Sequence, residues 1–236
     1  MNTQKKGRSL VRFFGPSAKN RAKINIPPVA VLGLGRFGSS LAKELTAHGV
    51  EVLGVDADAR LVEQCKSELT DAAVADTTDM DALQQLGIGD FDRVVLGIGS
   101  SLESSILTAS ALLELGVPDV WAKADSKAHA RILTQIGVHH VVRPERDTGR
   151  RVAHLLGGRF QDFAEFDEDF GMIKMHPPAF LQGGPVDNKA LSARAGVWVV
   201  QARVNGDWQP ITSDTRLSSE DLIIVAGELS ALEKFG

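Results

Sequence analysis

The sequence predicts an α/β fold, a doubly wound parallel sheet in the first part of the chain, followed by a small α+β domain. Three observations carry this reading. From residue 29 to residue 142, short continuous apolar runs alternate with segments of helical apolar spacing, as in strands buried on both faces and joined by crossover helices. A G-x-G-x-x-G turn, Gly33-Leu34-Gly35-Arg36-Phe37-Gly38, stands between the first such run and the first helical segment. Beyond Gly157-Gly158 the alternation gives way to short β-branched runs and a hairpin signal at Asn205-Gly206-Asp207.

Taken in order, Pro27-Pro28 fix an extended backbone and Val29-Ala30-Val31-Leu32 reads as the first buried strand. From Ser39, Leu41, Ala42 and Leu45 take up helical spacing, and Gly49 ends that helix. The next strand, Val50 to Val55, closes on Asp56. Further strands are expected at Ala72 to Ala75, Arg93 to Gly97, Val120 to Ala122 and His139 to Val142, with helices over 58–68, 79–86, 102–115 and 126–136. Pro144 suits the first turn of a helix and Glu145 the position after it, where a carboxylate meets the helix N-terminus, so a crossover helix is expected over 144–156. The remainder predicts strands around 171–175, 197–200 and 222–226 and a short helix over 228–235. The expected organisation is a basic tail (1–27), a nucleotide-binding domain (28–146), a crossover helix with hinge (147–160) and a small domain (161–236).

At 236 residues and 43% hydrophobic, the chain is long enough to bury a substantial core. It has no run of eighteen apolar residues and no leader pattern, which predicts a chain that stays soluble inside the cell. Cys65, the single cysteine, lies in an expected helix and reads as a buried small hydrophobe in preference to a reactive thiol. Residues 1–27 hold seven basic residues and no acid, leaving nineteen basic against thirty acidic residues for the body. With Leu10, Val11, Phe13 and Phe14 among the charges, such a tail suits an anionic membrane surface or a membrane-embedded partner, and equally a solvated leader. The acidic body argues against a nucleic-acid partner.

The glycine turn carries the chemistry. Gly33 allows the tight turn, Gly35 lets backbone approach a phosphate, and Gly38 permits close packing of helix on strand; the phosphate would rest on the free amides at the helix N-terminus. Asp56 follows Gly38 by eighteen residues at the end of the second strand, placed to accept from both ribose hydroxyls and to repel a 2′-phosphate. Arg36 has two readings, a guanidinium beside the phosphates or a surface ion-pair residue. The turn alone does not separate NAD(H) from ATP or ADP. An oxidoreductase needs a substrate domain with a proton donor; the last 75 or so residues offer one histidine, His176, beside Pro177-Pro178, which reads as structural.

The chain resembles the cytosolic regulatory subunits of bacterial potassium-uptake systems, the KtrA and TrkA type, built from RCK N-terminal and C-terminal domains. Besides the glycine turn, the resemblance rests on Val55-Asp56, Leu86-Gly87-Ile88, Val95-Leu96-Gly97-Ile98-Gly99, Lys123-Ala124, Ile136-Gly137 and Arg143-Pro144-Glu145 with Gly149. It covers residues 29–236 and implies a Rossmann-type domain that binds ATP or ADP, or in some relatives NAD(H). It further implies no catalysis, and dimers assembling into an octameric ring. The ring docks on a membrane-embedded potassium translocation subunit at the inner face of the membrane and changes shape with the nucleotide. By the same resemblance Arg36, with Phe37 beside it, reaches the γ-phosphate, Asp56 holds the ribose, Asp58 and Asp76 lie near ribose and adenine, and Lys123 lies near the phosphates. Glu145 matches a ligand for a divalent cation, Mg or Ca; its other reading is a helix N-terminal carboxylate. Some relatives bind cyclic di-AMP through the segment written here Ala193 to Trp198, although the stretch from Leu191 to Arg194 is shorter here and Trp198 replaces a common asparagine; Trp198 is expected in core or dimer packing.

Overall fold

The computed structural model describes residues 23–99 and 101–235; all but the end of the basic tail, and with it the membrane-surface reading, lies outside the described residues. The chain divides into two compact units, the first ending at Pro144 and the second beginning at Glu145.

The first unit is built on β1 (Val29–Leu32), β2 (Val52–Asp56), β3 (Asp71–Val74), β4 (Arg93–Leu96), β5 (Asp119–Lys123) and β6 (His140–Val142). They form a parallel sheet in the order β3-β2-β1-β4-β5-β6. Helices α1 (Arg36–Ala47), α2 (Ala59–Lys66), α3 (Met80–Gln85), α4 (Leu102–Glu114) and α5 (Lys127–Ile136) connect the strands. The reason β1 is wholly apolar is its central place: Val29 and Val31 join one hydrophobic cluster, Ala30 and Leu32 the other, and none of the four is exposed. Helix starts follow their caps, with Asp58, Asp79, Ser101 and Ser126 accepting amides of the first turns. Cys65 is buried at 3% exposure, as expected.

Strand β2 starts at Val52 and not at Val50, because Val50 still donates its amide to the Leu45 carbonyl and closes the end of α1. In the second unit α6 (Pro144–Leu156) precedes β7 (Asp162–Glu165), β8 (Phe170–Met175), α7 (Asn188–Ala195), β9 (Val197–Val204), β10 (Asp207–Pro210), β11 (Leu222–Glu228) and α8 (Leu229–Leu232). Its sheet, ordered β10-β9-β11-β8-β7, is antiparallel. The hairpin at Asn205-Gly206 is present, both residues having positive φ, 53° and 94°. Helix α8 is one turn, shorter than expected, and β7 and α7 are additions to the elements read from sequence. Trp198 points outward at 48% exposure, so in this chain it is no part of the core.

Candidate nucleotide site at the switch point

In a sheet of this order the chain reverses direction between β1 and β4, and the loops after those two strands leave a crevice at their carboxyl ends. The glycine turn fills one side. Gly33 has φ of +93°, and its amide donates to the Val55 carbonyl at 2.7 Å. A Cβ on Gly38 would lie 1.8 Å from the Gly33 carbonyl oxygen, and one on Gly97, in the loop after β4, 2.8 Å from the same atom. These glycines interlock at van der Waals contact, so their role is packing. Gly35 differs, since a Cβ there would meet nothing within 4 Å. It is the N-cap of α1 and brings no side chain to cap the helix's first-turn amides. Arg36 is exposed, and its guanidinium makes no ion pair among the described residues; Phe37 packs into the cluster beneath.

Asp56, the last residue of β2, is tied into this turn. Its Oδ2 accepts the Leu34 amide at 2.7 Å and its Oδ1 the Asp58 amide at 2.8 Å. A carboxylate has about four acceptor positions, so two remain open. Asp58 is differently engaged: it caps α2 and its Oδ2 pairs with Arg60 at 2.8 Å. The side-chain bond to Arg60, with the backbone bond beside it, holds the Asp58 carboxyl below its ordinary range. Asp76 follows β3 and accepts both the amide of Thr78, at 2.9 Å, and its hydroxyl, at 2.7 Å; these bonds, the amide first, lower its pKa.

Lys123 ends β5, only 9% exposed, with Nζ 2.9 Å from Oδ1 of Asp125. A Cβ on Gly99 would fall 2.7 to 2.8 Å from Asp125 Oδ2, Asp125 Oδ1 and Lys123 Nζ. The loop after β4 therefore lies directly on this ion pair. Asp125 was not singled out in the sequence; its place three residues past the end of an expected strand was the available signal. The structure thus brings Gly33, Gly35, Arg36, Gly38, Asp56, Asp58, Asp76 and Lys123 to the carboxyl edge of one sheet.

Glu145 belongs to the second unit, exposed in the first turn of α6 beside Asp147. Among the described residues no group of three histidine, cysteine, aspartate or glutamate side chains is placed to hold a metal. The second unit also holds a groove of about 650 Å³ lined by α6, β7 and β8, in whose walls Arg150 pairs with Glu165 at 2.6 Å and Arg151 with Asp162 at 2.7 Å. His176 lies with Nδ1 2.8 Å from the Asp221 carbonyl and Nε2 2.8 Å from Gln161, a structural role as expected. No helix among the described residues is long and apolar enough to cross a membrane.

Residues 29–144 match the TrkA-N domain family. The Ktr system potassium uptake protein C of Bacillus subtilis is 33% identical over 87% of this chain and 94% of that protein. Ktr system potassium uptake protein A of Vibrio alginolyticus is 35% identical over 84% of this chain and 91% of its own length. In solved structures, the fold is shared with the GsuK RCK domain, with TM-score 0.61 at 16% identity over 89% of this chain and 46% of that one. It is shared equally with the GsuK channel bound to NAD, with TM-score 0.62 at 17% identity over 91% of this chain and 40% of that one. The glycine turn, the acid at the end of β2 and these near full-length relatives together place the chain in the family of Ktr and Trk potassium uptake proteins, with a TrkA-N domain as its first unit.

Proposed function

We propose that this chain is a nucleotide-sensing regulatory subunit of a potassium uptake system, reading ATP against ADP at the switch point of its first unit and catalysing no reaction. The observation that carries this is the open space at Gly35 and the start of α1, with the exposed Arg36 at its rim. The α1 amides would receive a phosphate, Asp56 the ribose, and Asp76 the region of the base. Arg36 would distinguish ATP from ADP, because a guanidinium meets a terminal phosphate that only ATP carries. Lys123, held by Asp125, would act on the phosphates through its charge while keeping the loop after β4 in place.

The remaining roles follow from assembly. Glu145 from two copies would offer two carboxylates to a divalent cation that also takes phosphate oxygens, a donor set that suits Mg or Ca. Copies arranged as dimers in an octameric ring would present one geometry with ATP and another with ADP, because a ligand shifts states only by its differential contacts. That ring would bear on a membrane-embedded translocation subunit at the cytoplasmic face. Arg194, exposed in the last turn of α7, would be the phosphate contact of any cyclic di-AMP bound to the second unit.

The second reading, an NAD(H)-dependent oxidoreductase or NADH sensor, draws on Asp56, which suits the adenosine ribose of either ligand. Potassium uptake by cells lacking their own systems, carrying a Ktr-type membrane subunit with or without this chain, tests the proposal. Uptake that depends on the chain and is altered by Arg36→Ala supports it; uptake indifferent to the chain overturns it.

A further inference from the structure

We propose that His129 is a positioning residue of the nucleotide site, holding the Lys123–Asp125 loop against α4 only while its imidazole is neutral. The inference rests on reading the switch point as a nucleotide site. His129 lies in the first turn of α5, 4% exposed, with its own amide capped by Ser126 at 3.0 Å. One ring nitrogen, Nδ1, faces the Asp125 amide at 3.4 Å, and the other, Nε2, faces the hydroxyl of the fully buried Ser105 on α4 at 3.2 Å. An amide N–H only donates, so Nδ1 must present its lone pair and Nε2 must carry the proton. In that tautomer the ring spans from α4 to the loop after β5 with both nitrogens satisfied.

That loop matters to the site through a short chain of contacts. The Asp125 amide anchors the residue whose carboxylate pairs with Lys123, and Gly99 packs directly on that pair. The loop holding Gly99 also holds Gly97, which packs against Gly33 across the switch point. Protonating His129 would place an Nδ1–H opposite the Asp125 N–H, donor against donor. The charged groups facing the ring are Asp125, which favours the imidazolium, and Lys123, which opposes it; Ser105, on the α4 side, is uncharged. Burial, the largest influence, adds to Lys123 and sets the balance towards the neutral form.

Calorimetric titration of ADP into the full chain tests this over a pH series from neutrality down through the His129 titration, which lies below that of an ordinary histidine. The variants are His129→Asn, which keeps an acceptor near Nδ1 and cannot titrate, and His129→Phe, which has no acceptor. The nucleotide's own protonation is common to all three proteins. The expected result is an Asn variant within about twofold of the wild type near neutrality, a wild type that loses affinity relative to the Asn variant as pH falls through the His129 titration, and a Phe variant weaker throughout. Identical pH profiles for wild type and Asn variant overturn the proposal. Two readouts need no nucleotide: exchange of the His129 C2 hydrogen, which reports its pKa, and amide exchange over residues 123–127. A His129 that titrates at or above the ordinary value, or a segment whose protection ignores acidification beyond intrinsic exchange, also overturns it. Absence of ADP binding at every pH would instead defeat the nucleotide reading, leaving these two measurements to decide the positioning role.

Discussion

Asp56 Oδ2 accepts the Leu34 amide at 2.7 Å, so the acid that ends β2 also fixes the turn that follows β1. Leu34 is 1% exposed, so its amide depends on this partner. Replacing Asp56 by alanine would leave this buried donor unpaired, at a cost of about 1–3 kcal/mol. In a thermal melt this corresponds to a fall of roughly 2–12 °C for a chain of this size. The same variant is expected to lose nucleotide affinity, and Asp56→Asn, which keeps an acceptor for Leu34, to recover most of the stability but less of the affinity.

Gly35 and Gly38 separate binding from packing. A methyl at Gly38 would lie 1.8 Å from the Gly33 carbonyl, inside any allowed contact, and Gly38→Ala is expected to express poorly or melt at least several degrees lower. At Gly35 the backbone is extended and the same methyl meets no protein atom. Gly35→Ala is expected to melt within about 2 °C of the wild type while binding nucleotide at least about tenfold more weakly, because the methyl occupies the approach of the phosphate. Calorimetry beside a melting curve checks both.

Arg36 is exposed and unpaired among the described residues, so Arg36→Ala is expected to leave the melting temperature unchanged without ligand. The loss in affinity should be larger for ATP than for ADP, by about tenfold, the scale of one charge-assisted contact to phosphate. Equal losses for the two nucleotides would remove Arg36 from the discrimination.

Stability should also fall on acidification because of His129. Its folded pKa is lowered, first by burial, from an ordinary value of 6.5. Above that value neither the folded nor the unfolded chain holds the proton, and the histidine has no effect. As pH falls below 6.5 the unfolded chain binds the proton first, and stability declines until the folded pKa is reached. Denaturant unfolding across this range should show a steeper loss for the wild type than for His129→Asn.

How legible the fold was depended on burial. Strand β1 is apolar at every position because both its faces are covered, and the cap and stop residues of α5, Ser126 and Gly137, stand in the sequence as they do in the structure. Helix α7 left little trace: Leu191 is its one large apolar residue, and it is held by the Asp187 cap and by Gly196 with φ of +67°. Strand β7, with acids at both ends, exists through its pairing with β8 more than through composition. At the site, Gly33, Gly38 and Asp56 were readable from spacing because the turn dictates them. The link from His129 to Ser105 was not, since 24 residues separate the partners and only the packing of α5 on α4 brings them together. The local role of Asp58 was not readable from the resemblance: its carboxylate pairs with Arg60 and caps the start of α2.

The central claim is that the open end of α1 receives an adenine nucleotide and reads its terminal phosphate. Equilibrium titration of ATP, ADP and NADH into the full chain, with Arg36→Ala alongside, tests it most directly. The expected result is saturable binding of ATP and ADP at about micromolar concentrations or tighter, with their difference in affinity reduced in the variant. Binding of NADH alone, or an ATP preference unchanged by the loss of Arg36, would contradict it.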